Sequence, residues 1–120
     1  MKALFDTNIL IDYLNGIEAA KDEINRYPSI AISAVTWIEV MVGAKPDEES
    51  SVRQFLSRFE QVPLNAGIAE RAVTIRRATR IRLPDAIIRA SAEAEHALLV
   101  SRNTKDFPAS EPWVRVPYIL

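Results

Sequence analysis

A chain of 120 residues is long enough for one domain with a real core, and 48% hydrophobic with 26% charged residues is ordinary for a soluble globular protein. With 15 Lys and Arg against 16 Asp and Glu the formal net charge is -1, so any affinity for nucleic acid must rest on a local patch. Cysteine is absent, which excludes disulfides, zinc–thiolate centres and thiol chemistry, and a single histidine, His96, leaves little for a His-based metal site or a serine triad.

Apolar periodicity and turn residues predict the elements in order. Lys2–Phe5 reads as a strand, Asn8–Asn15 as a helix ended near Gly16, and Ile17–Tyr27 as a second helix stopped before Pro28. Ile30–Ile32 is a short strand, and a helix runs from Ser33 or Ala34 to Val42, ended at Gly43. Asp47–Phe59 is a helix with acids in its first turn, where the dipole favours them. Gln61–Leu64 is a strand, Gly67–Thr79 a helix, Pro84–His96 a helix with Pro84 at its start, Ala97–Val100 a strand and Val114–Pro117 a last short strand. His96 is expected at the end of its helix, where a partial positive charge is favoured. Short apolar strands alternating with helices predict a mostly parallel sheet covered on both faces, within a single domain over residues 1–120. No apolar run approaches the roughly 18–20 residues of a membrane span. The N-terminus lacks the pattern of a signal peptide, so a cytoplasmic protein without membrane contact is expected.

In such sheets sites form at the carboxyl ends of the strands, and four acids attract notice. Asp6 follows the first strand; Asp6, Thr7 and Asn8 could each cap the next helix, so three candidates for one capping role leave a surplus. Glu39, in "SAVTWIEVMVGA", is the only charged residue between Ser33 and Ala44. A helix apolar all round is buried or lies at an interface, where a lone carboxylate is costly unless paired or metal-bound. The stripe of Trp37, Val40 and Met41 reads as core or dimer surface. Asp85 follows Pro84, a position that also suits a helix dipole, and Asp106 lies just after the strand that ends at Val100, where a turn role is the ordinary one. Together, several carboxylates facing one crevice would repel each other, and a hard divalent cation such as Mg2+ or Mn2+ resolves that repulsion. Such a cluster, poor in His and Cys, suits phosphodiester hydrolysis: the ion polarises the phosphate and lowers the pKa of a bound water.

These segments carry a resemblance. "LFDTNILIDYL", "SAVTWIEVMVGA" and "LPDAIIRASAEAEHALLVSRNTKDF" look like the ordered motifs of the PIN-domain nucleases, especially the VapC-like toxins of toxin–antitoxin pairs. The resemblance implies a three-layer α/β/α sandwich, a metal-dependent endoribonuclease using Mg2+ or Mn2+, an RNA substrate, a homodimer, and inhibition by a VapB-like antitoxin. It assigns Asp6 and Asp85 to the metal, with Glu39 and Asp106 catalytic and reaching the metal through water. The fourth acidic position falls at Asn103 or, three residues on, at Asp106.

For the substrate, Arg102 and Lys105 beside the acidic loop are the expected phosphate contacts, with Asn103 and Thr7. Arg71, Arg76, Arg77, Arg80 and Arg82 form a run without an acid, and Arg89 lies close to Asp85 in sequence. The rival readings are a receiver domain, which needs an acidic pair after strand one and an Asp ending a mid-chain strand, and a non-catalytic RNA- or protein-binding module on the same fold.

Overall fold

Each strand is short and parallel to its neighbours, and the three central ones are largely apolar. The computed structural model describes residues 1–120. β1 (Lys2–Phe5), β2 (Ser29–Ser33), β3 (Glu60–Val62), β4 (Leu98–Val100) and β5 (Val114–Arg115) form one sheet in the order β3-β2-β1-β4-β5. All four pairings are parallel; Ala3 of β1 lies opposite Ile30 of β2 and Leu98 of β4. Starting from β1 the chain builds outward to β2 and β3, then returns to the other side of β1 for β4 and β5. The point of reversal lies between β1 and β4, where open parallel sheets open a crevice.

Six helices cover the two faces: α1 (Thr7–Leu14), α2 (Glu18–Ile24), α3 (Ala34–Gly43), α4 (Glu49–Leu56), α5 (Ala66–Thr79) and α6 (Leu83–Ala94). Successive strand residues point to opposite faces, so Ala3 and Phe5 enter one core while Leu4 enters the other. The first core gathers Ile9 and Leu10 of α1, Ala20 and Ile24 of α2, Val40 of α3, and Val52, Phe55 and Leu56 of α4. The second gathers Ile68, Ala72 and Ile75 of α5 with Ala86, Ile88, Ala90 and Ala92 of α6. The expected three-layer sandwich is the one formed, and Phe5, fully buried, meets Tyr27 and Phe59 edge-on with ring centroids 5.9 Å apart.

Most boundaries move by a residue or two, for local reasons. α2 spans Glu18–Ile24 rather than Ile17–Tyr27: Ile17 caps it, and its last turn closes ahead of Pro28, whose ring disfavours helix in the residue before it. α4 is shorter than Asp47–Phe59, because the chain turns at Ser57 and Arg58. β3 ends at Val62 rather than Leu64, since Pro63 has no N–H for the ladder. β5 holds Val114 and Arg115 only. α6 stops at Ala94, and His96 is exposed in a left-handed turn with φ 50°, so it is not the last-turn partner of the helix dipole that its sequence position suggested. Gly16, with φ 82°, ends α1 in the conformation only glycine adopts freely. α3 is only half covered: Val40 and Thr36 are buried, Trp37 and Met41 pack on the core, but Ile38 and Val42 are 54% and 81% exposed. No helix is long and apolar enough to cross a membrane.

Candidate active site

The crevice opens at the carboxyl end of the sheet, beside the junction of β1 and β4, with a volume of about 450 Å³. Asp6 lies on its floor. The Asp6 N–H donates to the Val100 carbonyl at 2.9 Å, continuing the β1–β4 ladder by one bond. The same residue is the N-cap of α1, its Oδ1 accepting from the Thr7 N–H at 2.8 Å. Its Oδ2 accepts from the Ser101 hydroxyl at 2.7 Å and from the Asn8 amide at 3.2 Å. Asp6 is 4% exposed. Burial, and then the nearby charges of Asp85 and Glu39, outweigh these hydrogen bonds and push its carboxyl up to about 6 from an ordinary 3.8. Oδ1 thus caps the helix, while Oδ2 ties Asp6 to Ser101 and Asn8.

Glu39 and Asp85 face the crevice from the helices beyond. The Thr7 hydroxyl donates to Glu39 Oε1 at 2.6 Å, so the 2.9 Å contact between Thr7 and Thr36 has Thr36 as donor. Thr7, expected at the substrate, lines the crevice with its hydroxyl committed to orienting Glu39. Asp85 sits in the first turn of α6, 3.4 Å from the Arg82 guanidinium. Burial raises the Asp85 carboxyl above its ordinary value; Arg82 opposes this, and Asp106 and Glu39 reinforce it. In the loop after β4, the Asn103 amide donates to Asp106 Oδ2 at 3.0 Å and its carbonyl accepts from the Asp106 N–H at 3.3 Å. Asn103 and Asp106, alternatives for one position in the sequence, are therefore one unit, and both line the crevice. Lys105 is exposed and does not line it.

Asp6, Asp12, Glu39, Asp85 and Asp106 line this space against two guanidinium groups, Arg82 and Arg102. No three carboxylates converge as a ready-made ligand set. The donors are hard oxygens without His or Cys, a set that fits Mg2+ or Mn2+ and not the softer ions. The excess of negative charge, together with the raised Asp6 carboxyl, is the observation that fits the crevice to a divalent cation.

One of the two cations is already spent. Arg102 makes a bidentate pair with Asp12 of α1, Nε to Oδ2 at 2.5 Å and Nη2 to Oδ1 at 2.9 Å, and the Tyr118 hydroxyl donates to the same Oδ2 at 2.7 Å. Arg102, expected as a free phosphate contact, has its strongest donors turned to Asp12, while its backbone N–H donates to Asn8 at 3.2 Å. The roles of Asp12, Asn8, Ser101 and Tyr118 escape sequence reasoning, because their partners lie across the fold. Breaking a fully buried pair costs about 3–5 kcal/mol. Arg102 keeps 28% of its side chain exposed, so Asp12→Ala is expected to lose about 2 kcal/mol in urea unfolding, and Tyr118→Phe about 1 kcal/mol. An Asp12→Ala protein as stable as the parent would leave this bridge without a role in the fold.

Comparison with known proteins identifies the family. The PIN domain family matches residues 3–109. Ribonuclease VapC10 of Mycobacterium tuberculosis is 32% identical over 116 residues, covering 90% of this chain and 87% of the relative. A chain of a toxin-antitoxin complex from Klebsiella pneumoniae superposes with a TM-score of 0.92 at 48% identity, over 98% of this chain and 99% of that one. A chain of VapBC2 from Rickettsia felis, solved bound to a DNA fragment from their promoter, gives 0.78 at 26% identity over 95% and 96%. The family match spans most of the chain and the fold is shared nearly end to end: this chain is a VapC-like member of the PIN domain family.

Proposed function

We propose that this protein is a divalent-metal-dependent endoribonuclease, the toxin of a toxin–antitoxin pair restrained by a VapB-like antitoxin. The observation that carries the reading is the set of Asp6, Glu39, Asp85 and Asp106 around one crevice at the carboxyl end of the sheet, only partly offset by Arg82. The relatives support the biological role: VapC10 is a ribonuclease, and the similar structures are of a toxin–antitoxin complex and of VapBC2. Asp6 and Asp85 would hold Mg2+ or Mn2+, with Glu39 and Asp106 reaching it through water, and the ion would supply Lewis acidity toward the phosphodiester. Ser101, Asn8 and the Thr7 N–H fix the Asp6 carboxylate in one orientation. Thr7 occupies Oε1 of Glu39, which leaves Oε2 to orient an attacking water and take its proton. Asn103 holds Asp106, and Arg102, whose Nη1 stands outside the Asp12 pair, lines the space where a phosphate would lie. Ile38 and Val42, one turn apart and exposed on α3, support a homodimer through that face.

The test is cleavage of structured RNAs by the purified chain with Mg2+, with Mn2+ and with EDTA. Cleavage is expected only with an ion present. No cleavage under any condition would leave a binding module on the same fold. The fourth acid makes a second expectation. Asp106→Asn should lose much of the activity, and Asn103→Ala, which removes only the clamp, should lose less, within the roughly 10–100-fold that outer-shell partners cost. The reverse order in kcat/KM would put Asn103 at the reacting centre.

A further inference from the structure

Positive charge at the C-terminal end of α5 is left without partners. From Arg71 to Pro84 the sequence holds five arginines and no acid. Arg71 is held by Glu93 at 2.7 Å, as Arg102 is by Asp12 and Arg115 by Glu23. Arg76, Arg77 and Arg80 are exposed and make no ion pair. Arg76 and Arg77 lie in the last turn of α5 and Arg80 caps it, so three like charges are gathered at one helix end. Arg80 also sits in the left-handed region, φ 61°, as the C-cap whose N–H donates to the Arg76 carbonyl at 2.9 Å. Glycine or asparagine adopts that conformation more cheaply. Two residues on, Arg82 lines the acidic crevice with 74% of its side chain exposed. A helix dipole accounts for one cation at this end; it does not account for three gathered there and followed in the chain by a fourth at the crevice.

We propose that Arg76, Arg77 and Arg80 form a phosphate track that, through Arg82, holds the backbone of the RNA strand flanking the crevice. The inference rests on the nuclease reading for the identity of the strand. It assigns binding energy for long substrates to a surface that does no chemistry. Guanidinium groups suit this role because each offers paired donors to phosphate oxygens. A polyanion running out of the crevice relieves the mutual repulsion of the three side chains. An acidic peptide could meet the same charges, but it has no reason to continue into a crevice that is itself acidic.

The test compares the parent with an Arg76→Gln, Arg77→Gln, Arg80→Gln triple variant and with the corresponding triple Lys variant. All three residues are exposed, and melting curves check that each variant folds. Binding of a fluorescein-labelled unstructured RNA of about thirty nucleotides is measured in EDTA across salt concentrations, alongside kcat/KM with Mg2+ on that RNA and on a hexanucleotide. The Gln variant should bind the long RNA about tenfold more weakly, with a salt slope smaller by about two, from roughly 0.7 per lost contact on a single strand. The Lys variant should keep the slope, and both variants should cleave the hexanucleotide like the parent. An unchanged slope, or an equal loss on short and long RNA, would overturn the track. So would loss of binding to a polyglutamate peptide with RNA binding intact, which would give the surface to an acidic peptide. A parent that binds long RNA through these arginines yet cleaves nothing would keep the track and remove the nuclease. A parent that neither binds nor cleaves RNA would remove both.

Discussion

Purified Asp6→Asn and Asp85→Asn proteins are each expected to lose Mg2+-dependent RNA cleavage while keeping the parent's fold, by more than the roughly 10–100-fold that loss of an outer-shell partner costs. The expectation follows from where the charge sits. Asp6 is on the crevice floor, with Asp85 and Glu39 close enough to raise its carboxyl. Neutralising either Asp removes charge that the cation would balance. The fold should survive both changes. Asn at position 6 keeps an oxygen for the Thr7 N–H and is as good a helix cap as Asp; its amide gives up the hydrogen bonds that Oδ2 accepts from Ser101 and Asn8, a local loss set against the repulsion relieved. Asp85 gives up only a 3.4 Å contact with a largely exposed Arg82. Wild-type activity in either variant, prepared free of parent enzyme, would remove that residue from the site.

The backbone plan and the four acids were legible in the sequence for a simple reason: each signal was local. A carboxylate directly after an apolar strand, a lone charge in an apolar helix and an Asp behind Pro84 are patterns of neighbours. The pairings that finish the site are not. Asp12 sits six residues after Asp6 in an apolar helix and invites no attention, yet Arg102 and Tyr118, distant in sequence by 90 and 106 residues, make it the anchor of the β4 loop. Arg102 looked free because nothing near it in sequence is acidic except Asp106, which Asn103 holds instead. The same limit applied to α3. Its all-apolar sequence predicts burial or an interface, and only the packing tells which side is which: Val40 inward, Ile38 and Val42 outward. The receiver-domain alternative ends on geometry too, since β3 closes at Val62 and Pro63 with no Asp.

Melting of the metal-free protein should respond to pH in the direction opposite to a salt-bridged carboxylate. Asp6 has a folded-state value of about 6 against 3.8 for the free side chain. Between those values the folded chain binds more protons than the unfolded one, so stability rises as pH falls through about 6 and levels off below about 4. Ionised above pH 6, Asp6 alone costs roughly 3 kcal/mol relative to its protonated form, at about 1.4 kcal/mol per unit. Asp85, also raised, acts in the same direction. Glu23 is the counterweight. Burial alone would raise it, but the hydrogen bonds from Arg115 and Tyr27 outweigh burial and hold it low, so its contribution is lost only in more acid solution. From pH 8 down to pH 5 the crevice carboxylates therefore dominate. Mg2+, if held by their ionised form, should reverse the trend: an ion at a hundred times its Kd would add about 2.7 kcal/mol, a rise in Tm of roughly 10 °C, largest at pH 7 to 8. Asp6→Asn separates charge from capping, because Asn caps a helix as well as Asp does. The metal-free variant should melt at or above the parent at pH 8, with a flatter pH dependence and little response to Mg2+. A parent indifferent to both Mg2+ and pH across this range, beside an Asp6→Asn protein that melts lower, would reduce Asp6 to the cap of α1 and take the central residue from the nuclease.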